Sequence, residues 1–378
     1  MRRIYLEHGE AYGNLGDEAM LINASRRLRK AIGDVEFIIP REGSSPLPDI
    51  EAGTQVASPD PALRKLMRRF VPFGMIRRWS HERSWDPLAF LAPFLMRVLG
   101  GIGQWRDMLD HLSRCDGVYL VGAANLNDFA RLPCVLPKYA IVFEALTRDI
   151  PVVVSSQTVG PLSVPWVQRA VRKMVNQVNY FSTRDCGVTR NFLAEAGVSS
   201  SSVNFSGDEA FTLPAASGGR VNSYLQDSGV GTSEPISLIH FRATDYTQQT
   251  EHHYDTLASA FDRVDTQSKL CFVPMSYGEH SGDDEACGYA IRDRMQAPEN
   301  LTVLDASTDV EVVRGLFDRA NWVLGLSYHT QVFAISAACP FGLLASGEYY
   351  HTKARGVHNI VDRKMPFLQC LRQLPKTL

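Results

Sequence analysis

The chain has 378 residues, 45% of them hydrophobic, and its 39 Lys and Arg against 41 Asp and Glu give a net charge of −2. That balance is ordinary for a soluble globular protein and gives no electrostatic reason to expect nucleic acid, while the length favours two domains over one core. Seven cysteines without C-x-x-C spacing fit reduced cytoplasmic thiols better than a disulfide framework, and neither a signal peptide nor a membrane-crossing run of about 18 apolar residues is expected.

Arg3–Glu7 reads as a first strand, followed by the glycine-rich turn His8 to Asp17 and a helix reaching about Lys30. Gly13 and Gly16 flank Asn14, so a ligand could approach the backbone closely here, or the turn is merely tight with Asp17 as the helix cap. It matches neither a Walker loop nor G-x-G-x-x-G. Val35–Pro40 is a second strand. From Arg64 to Trp79 six basic residues alternate with apolar ones and no acidic residue intervenes. This pattern fits core-facing helices with solvated arginines, and its second reading is a peripheral contact with an anionic membrane through 64–79.

Regular alternation then resumes. Gly117–Val121 is a strand ending in Gly122-Ala123-Ala124-Asn125, with a helix over about Pro137–Arg148. Pro151–Ser155 is the next strand, running into Ser156-Gln157-Thr158-Val159-Gly160-Pro161, then a helix from Val164 to Gln177. Tyr180–Ser182 leads into Thr183-Arg184-Asp185, and Val203–Phe205 into Gly207-Asp208. Strand after strand ends in polar or glycine-rich residues, as in a parallel, doubly wound sheet with one functional edge. Pro214–Pro235, rich in Gly and Ser, reads as a linker between an N-terminal domain of residues 1–213, with a basic insertion at about 60–105, and a C-terminal domain of residues 236–378.

A second alternating series begins at Ile236–Phe241, with Arg242 just beyond it. A helix at about 251–264, the strand Leu270–Pro274, Asp283-Asp284 opening a helix, Leu301–Leu304 and the helix Asp309–Arg319 follow. The series closes on Trp322-Val323-Leu324, which stops at Gly325 with Ser327 and His329 beyond, then a helix over Thr330–Ala338 and the apolar run Phe341–Ala345. In a parallel sheet this places His329 at the positive end of a helix, in the crevice where ligands bind, and an anion suits that position. Lys353 and Arg355 follow the next strand and would approach the same edge.

In this order, Gly13-Asn14-Leu15-Gly16-Asp17, Ser156 to Pro161, Phe181 to Asp185, Gly207-Asp208, Asp283-Asp284 and Tyr328-His329 with Lys353 downstream resemble the polysaccharide pyruvyl transferase family. The resemblance spreads over nearly the whole chain. It implies a GT-B-like α/β fold of two Rossmann-like doubly wound domains facing across a cleft, and transfer of a pyruvyl group from phosphoenolpyruvate to a sugar of a cell-surface glycan or its lipid-linked precursor. The chain departs from the family pattern at Gly122-Ala123-Ala124, where three glycines are usual, and at Ser327, where an arginine is common.

Such chemistry needs an acid and a base, cations for phosphate and carboxylate, and contacts that orient the sugar. We expect His329 to transfer protons and Arg184 to bind anion in the catalytic set. Arg242, Ser327, Lys353 and Arg355 would serve the donor side, and Asn14, Asp17, Gln157 and Asn125 the acceptor side. No metal or cofactor is called for, phosphoenolpyruvate being the donor substrate, and the partner is a glycan or lipid-linked saccharide. Expected residence is the cytoplasm, with the inner face of the membrane as the second reading. The competing functions are a GT-B glycosyltransferase using a nucleotide sugar and a non-catalytic glycan-binding relative.

Overall fold

The computed structural model describes residues 1–8, 13–41, 50, 53–57, 104–128, 135–242, 251–264, 267–277, 284–305, 309–344 and 355–357. The basic segment 64–79, Asp283 and Lys353 lie outside the described residues. The chain divides into two compact units, one of Met1–Glu10 with Met20–Glu209, the other of Ala11–Ala19 with Ala210–Leu378.

The strands of the first unit are β1 (Arg2–Glu7), β2 (Val35–Arg41), β3 (Gly53–Ala57), β4 (Gly117–Leu120), β5 (Val152–Gln157), β6 (Tyr180–Thr183) and β7 (Asn204–Phe205). They form one sheet in the order β3-β2-β1-β4-β5-β6-β7, parallel at every pairing. Its helices are α1 (Leu15–Ile32), α2 (Gln104–Leu112), α3 (Leu136–Thr147), α4 (Pro165–Gln177) and α5 (Val188–Glu195). Parallel strands need crossovers, and crossover helices cover both faces of the sheet, so its central strands are apolar runs rather than alternating ones. Val152 and Val154 in β5 are fully buried, as are Val167 and Val171 of α4, which belong to the same core cluster.

The second unit carries α6 (Gly218–Asp227), β8 (Ile236–His240), α7 (Glu251–Phe261), β9 (Lys269–Phe272), α8 (Asp284–Arg292), β10 (Leu301–Val303), α9 (Val310–Arg319), β11 (Ala320–Gly325), α10 (Tyr328–Ser336) and β12 (Phe341–Leu343). Its sheet runs β10-β9-β8-β11-β12 and is again parallel throughout. β8 sits at the centre and is buried along its whole length. Ile236, Leu238 and Ile239 are each at most 1% exposed, and each such side chain contributes about 1.5–3 kcal/mol of burial.

Two expectations are corrected. The stretch Pro214–Pro235 is not an unstructured linker: α6 lies within it and buries Val221 and Leu225, an i, i+4 pair that gives the segment an apolar face despite its Gly and Ser content. Helix α9 approaches that face through Gly315, where a Cβ would stand 2.5 Å from Val221 Cγ2. Second, residues 11–19 group with the C-terminal unit rather than with the N-terminal domain. Helix α1 therefore begins in one unit and continues in the other. Strand β3 and helix α2, on either side of the region read as a basic insertion, were not anticipated.

Candidate active site

Because every strand of the second sheet runs the same way, the residues following β8, β9 and β11 emerge at one edge. After β11, Ser327 has extended backbone and caps α10, its Oγ accepting from the His329 amide at 3.3 Å. Tyr328 and His329 form the first turn, both buried at 6% exposure.

The glycine-rich loop packs onto the segment after β9. Leu15 N donates to Met275 O at 3.0 Å, and Tyr277 N and Ser276 Oγ donate to Gly13 O at 2.7 and 3.1 Å. Gly13 takes φ 77°, a conformation glycine adopts without strain. The cap of α1 is Asn14, whose Oδ1 accepts from Gly16 N at 3.1 Å, so Asp17, expected as the cap, falls inside the first turn instead. Gly16 meets His329 directly: a Cβ there would lie 1.9 Å from Nδ1. The imidazole therefore rests against bare backbone, and this, more than turn geometry, explains the second glycine of the motif.

Beneath this contact is Asp284, the first residue of α8 and fully buried. Its Oδ1 accepts from Arg242 Nε and its Oδ2 from Arg242 Nη2, both at 2.7 Å, a two-pronged pairing. Oδ2 also accepts from Met275 N at 3.0 Å and lies 3.0 Å from His240 Nε2. Burial alone would raise the Asp284 pKa, but Arg242 and His240 outweigh it and bring it down to about 2. The Ser327 amide donates to His240 Nδ1 at 3.2 Å. An amide can only donate, so Nδ1 is the acceptor and the ring proton sits on Nε2, facing Asp284. Burial lowers the His240 pKa and keeps that ring neutral.

One acidic residue here escaped the sequence reading. Glu18, in the first turn of α1, is 6% exposed and hydrogen-bonded to the Tyr277 hydroxyl. Burial raises its pKa from 4.5 to about 7, against the lowering effect of that bond. A carboxylate at a helix start ordinarily reads as a dipole partner in water, so nothing in the sequence flags its burial.

The remaining candidates are dispersed. Arg184 is 2% exposed, its Nη1 paired with Asp208 Oδ2 at 3.0 Å and its Nε donating to Thr158 Oγ1 at 2.5 Å, all within the first unit. The guanidinium is thus already engaged by a carboxylate and a hydroxyl of its own unit. Gln157, fully buried, uses its side-chain amide to donate to Val121 O and Ser155 O, both at 2.8 Å, and braces the ends of neighbouring strands. Asn125 is half-buried in the same unit, and Arg355 is exposed in the second. Asn14, Asp17, Arg242, Ser327 and His329 all belong to the second unit. Among the described residues no group of three or more His, Cys, Asp or Glu is placed to hold a metal ion, and no helix is long and apolar enough to cross a membrane.

The family model described as polysaccharide pyruvyl transferase matches residues 14–348. The chain belongs to that family. No curated protein matches it in sequence. Among solved structures, it resembles a UDP-GlcNAc 2-epimerase from Methanocaldococcus jannaschii, with a TM-score of 0.54, 12% identity and full coverage of both chains. The Anabaena Alr3699/HepE complex with UDP-glucose gives a TM-score of 0.52 at 12% identity, covering 100% of this chain and 99% of that one. The S. aureus MnaA complex with UDP gives 0.54 at 10% identity, covering 99% and 88%. At such identities the likeness carries the fold alone, and the fold is GT-B.

The two departures from the family pattern have structural counterparts in this pyruvyl transferase family member. At Ser327 the chain places a helix cap where an arginine is common. Of the three positions where glycine is usual the chain keeps Gly122, where the backbone is tightly enclosed: a Cβ would meet Met20 Sδ and Ser156 Cβ at 3.0 Å, and the amide donates to buried Glu209 at 2.8 Å. Ala123, the first substituted position, is itself buried, its carbonyl accepting from Thr158 N at 2.8 Å.

Proposed function

We propose that this chain moves the pyruvyl group of phosphoenolpyruvate onto two hydroxyls of one sugar, in a cell-surface polysaccharide or its lipid-linked precursor, closing a cyclic pyruvate ketal. The observation that carries this reading is the family match over 14–348, which spans both the His329 turn and the Gly16 loop against it. A proton delivered to the methylene carbon leaves the adjacent carbon cationic. A first sugar hydroxyl attacks that carbon, the bond to phosphate breaks, and the second hydroxyl adds to the new cation. Of the two hydroxyl protons displaced, one ends on the methyl group and one on phosphate, so no oxidant or reductant is needed.

In this scheme His329 transfers protons, a task suited to an imidazole because it titrates near neutrality. The positive dipole end at the start of α10 suits the donor's phosphate or carboxylate, with Lys353 and Arg355 after the next strand, and Arg242 beside Asp284, as the cations assigned to the donor side. Asn14 and Asp17, on the loop against His329, are the assigned sugar contacts. Arg184, enclosed with Asp208, supports the fold of its own unit instead.

The test is incubation with phosphoenolpyruvate and a lipid-linked saccharide, following phosphate release and the acceptor's gain of pyruvate less water by mass spectrometry. His329→Asn should lower turnover by about two to four orders of magnitude. In parallel, phosphoenolpyruvate at a hundred times its dissociation constant should stabilise the fold by about 2.7 kcal/mol. Stabilisation by UDP alone, with no phosphate released from phosphoenolpyruvate, would move the assignment to glycosyl transfer.

A further inference from the structure

The His329 imidazole is held on two sides, and both supports lead back to one buried pair. On one side Ser327 caps the turn that carries His329, and the Ser327 amide donates to His240 Nδ1. On the other, Gly16 lies against the ring, on a loop hydrogen-bonded to Met275 and Tyr277. The Met275 amide donates to Asp284, the carboxylate that also receives His240 Nε2–H. Asp284 and His240 are each at most 1% exposed. We propose that His240 is a positioning residue for the transfer reaction: held in one tautomer by Asp284, it fixes the start of α10 and thereby the orientation of the His329 ring against Gly16.

The physical basis is that one ring nitrogen must accept and the other donate at the same time. Protonating Nδ1 would point a second N–H at the Ser327 amide and remove the acceptor that satisfies it. By accepting from Nε2, Asp284 excludes the neutral tautomer with its proton on Nδ1, while burial and the Arg242 charge oppose a second proton on the ring. Arg242, paired with both carboxylate oxygens, keeps that acceptor ionised and fixed. Among the described residues, the charged and polar groups facing His240 are Asp284, Arg242 and the Ser327 amide, and the Phe272 ring stacks against it. None of them needs to touch substrate for His240 to act. A displacement of about one ångström in a reacting group costs on the order of a hundredfold in rate, so a small rotation of α10 would be read in turnover rather than in binding.

This inference rests on the reading of His329 as the proton-transfer group, and the experiment separates the two. His240→Gln and His240→Asn are compared with wild type by steady-state kinetics with phosphoenolpyruvate across pH and by nitrogen-detected NMR of 15N-histidine protein. Wild type should show His240 as the Nε2–H tautomer. Asn places an acceptor near the Nδ1 position and should restore part of the activity that Gln loses. The expected result is a fall in kcat of roughly tenfold to a hundredfold in His240→Gln, a smaller fall in His240→Asn, donor KM nearly unchanged, and shifted His329 ring signals in both.

A second pair keeps the test open if the His240 variants do not fold. Ser327 has φ −64°, which proline adopts, so Ser327→Pro removes the amide that His240 accepts from, while Ser327→Ala removes only the hydroxyl. The proline variant should be the slower of the two and should move the His329 signals further. Unmoved His329 signals in the His240 variants, or in Ser327→Pro relative to Ser327→Ala, overturn the positioning role whether or not turnover is seen. Wild type that releases no phosphate from phosphoenolpyruvate, with the NMR shifts present, counts against the proposed function alone.

Discussion

Replacing Glu18 by Gln should change stability in a way that depends on pH. Glu18 is buried beside Tyr277, with the Asp17 and Asp309 charges adding to the cost of ionising it, and its pKa rises from 4.5 to about 7. In the unfolded chain the same carboxyl ionises near its ordinary value. Below that value both states hold the proton and Glu18 contributes no pH dependence. Between there and pH 7 the unfolded state loses its proton first, so the wild type loses stability as pH rises, and the loss levels off above pH 7. Each tenfold change in proton affinity is worth about 1.4 kcal/mol, so the full effect is about 3 kcal/mol. Glutamine keeps the volume and can still bond the Tyr277 hydroxyl, but it never ionises.

The variant should therefore match wild type near pH 4.5 and exceed it by up to about 3 kcal/mol at pH 8. For a unit of this size that is a rise of roughly 6 to 12 °C in midpoint temperature. Scanning calorimetry of both proteins from pH 4.5 to 8 provides the measurement. A difference that stays constant across the range would show that Glu18 titrates normally, and would refute the argument from burial.

Asp284 should behave in the opposite sense. Its pKa is depressed to about 2 by Arg242 and His240 despite burial, so it contributes stability that is present above its ordinary value and fades as pH falls through 2; an acid titration of Asp284→Asn should lack that limb. Gly16→Ala should abolish most turnover, because its Cβ would overlap the His329 ring at 1.9 Å, and a rate within twofold of wild type would count against that packing. Arg184→Ala leaves Asp208 charged and enclosed, which should cost about 3–5 kcal/mol of stability in a denaturant melt; an unchanged midpoint would favour the anion-binding role first expected for it.

Much of the architecture could be read from apolar spacing. The runs at Val152–Val154, Ile236–Ile239 and Val323–Leu324 are too continuous for half-exposed strands, and alternation with helices forces a parallel sheet. The turn at His329 was equally visible, since Gly325, Ser327 and the following helix are all local signals. Pairings across the sheet were not. Whether Arg184 faces a ligand or Asp208, 24 residues on, depends on strand order that no local pattern encodes. The same holds for Arg242, Asp284 and His240, which meet only because β8 and β9 are neighbours with α8 beginning at their edge. Glu18 was overlooked for a related reason: its burial is set by Tyr277, a residue 259 positions away.

Helix α1 belongs to both units, its first turn to one and the rest to the other. The two halves of the gene are therefore not interchangeable cassettes. A fragment cut between Glu209 and Ala210 would encode the second sheet but omit residues 13–16, and with them the backbone on which His329 rests. Exchanging the C-terminal half with that of a relative would leave the new His329 turn facing a loop selected against a different partner. Functional chimaeras should require the first turn of α1 to travel with the C-terminal half, so that residues 11–19 and the chain beyond 210 form a single heritable module written in two places.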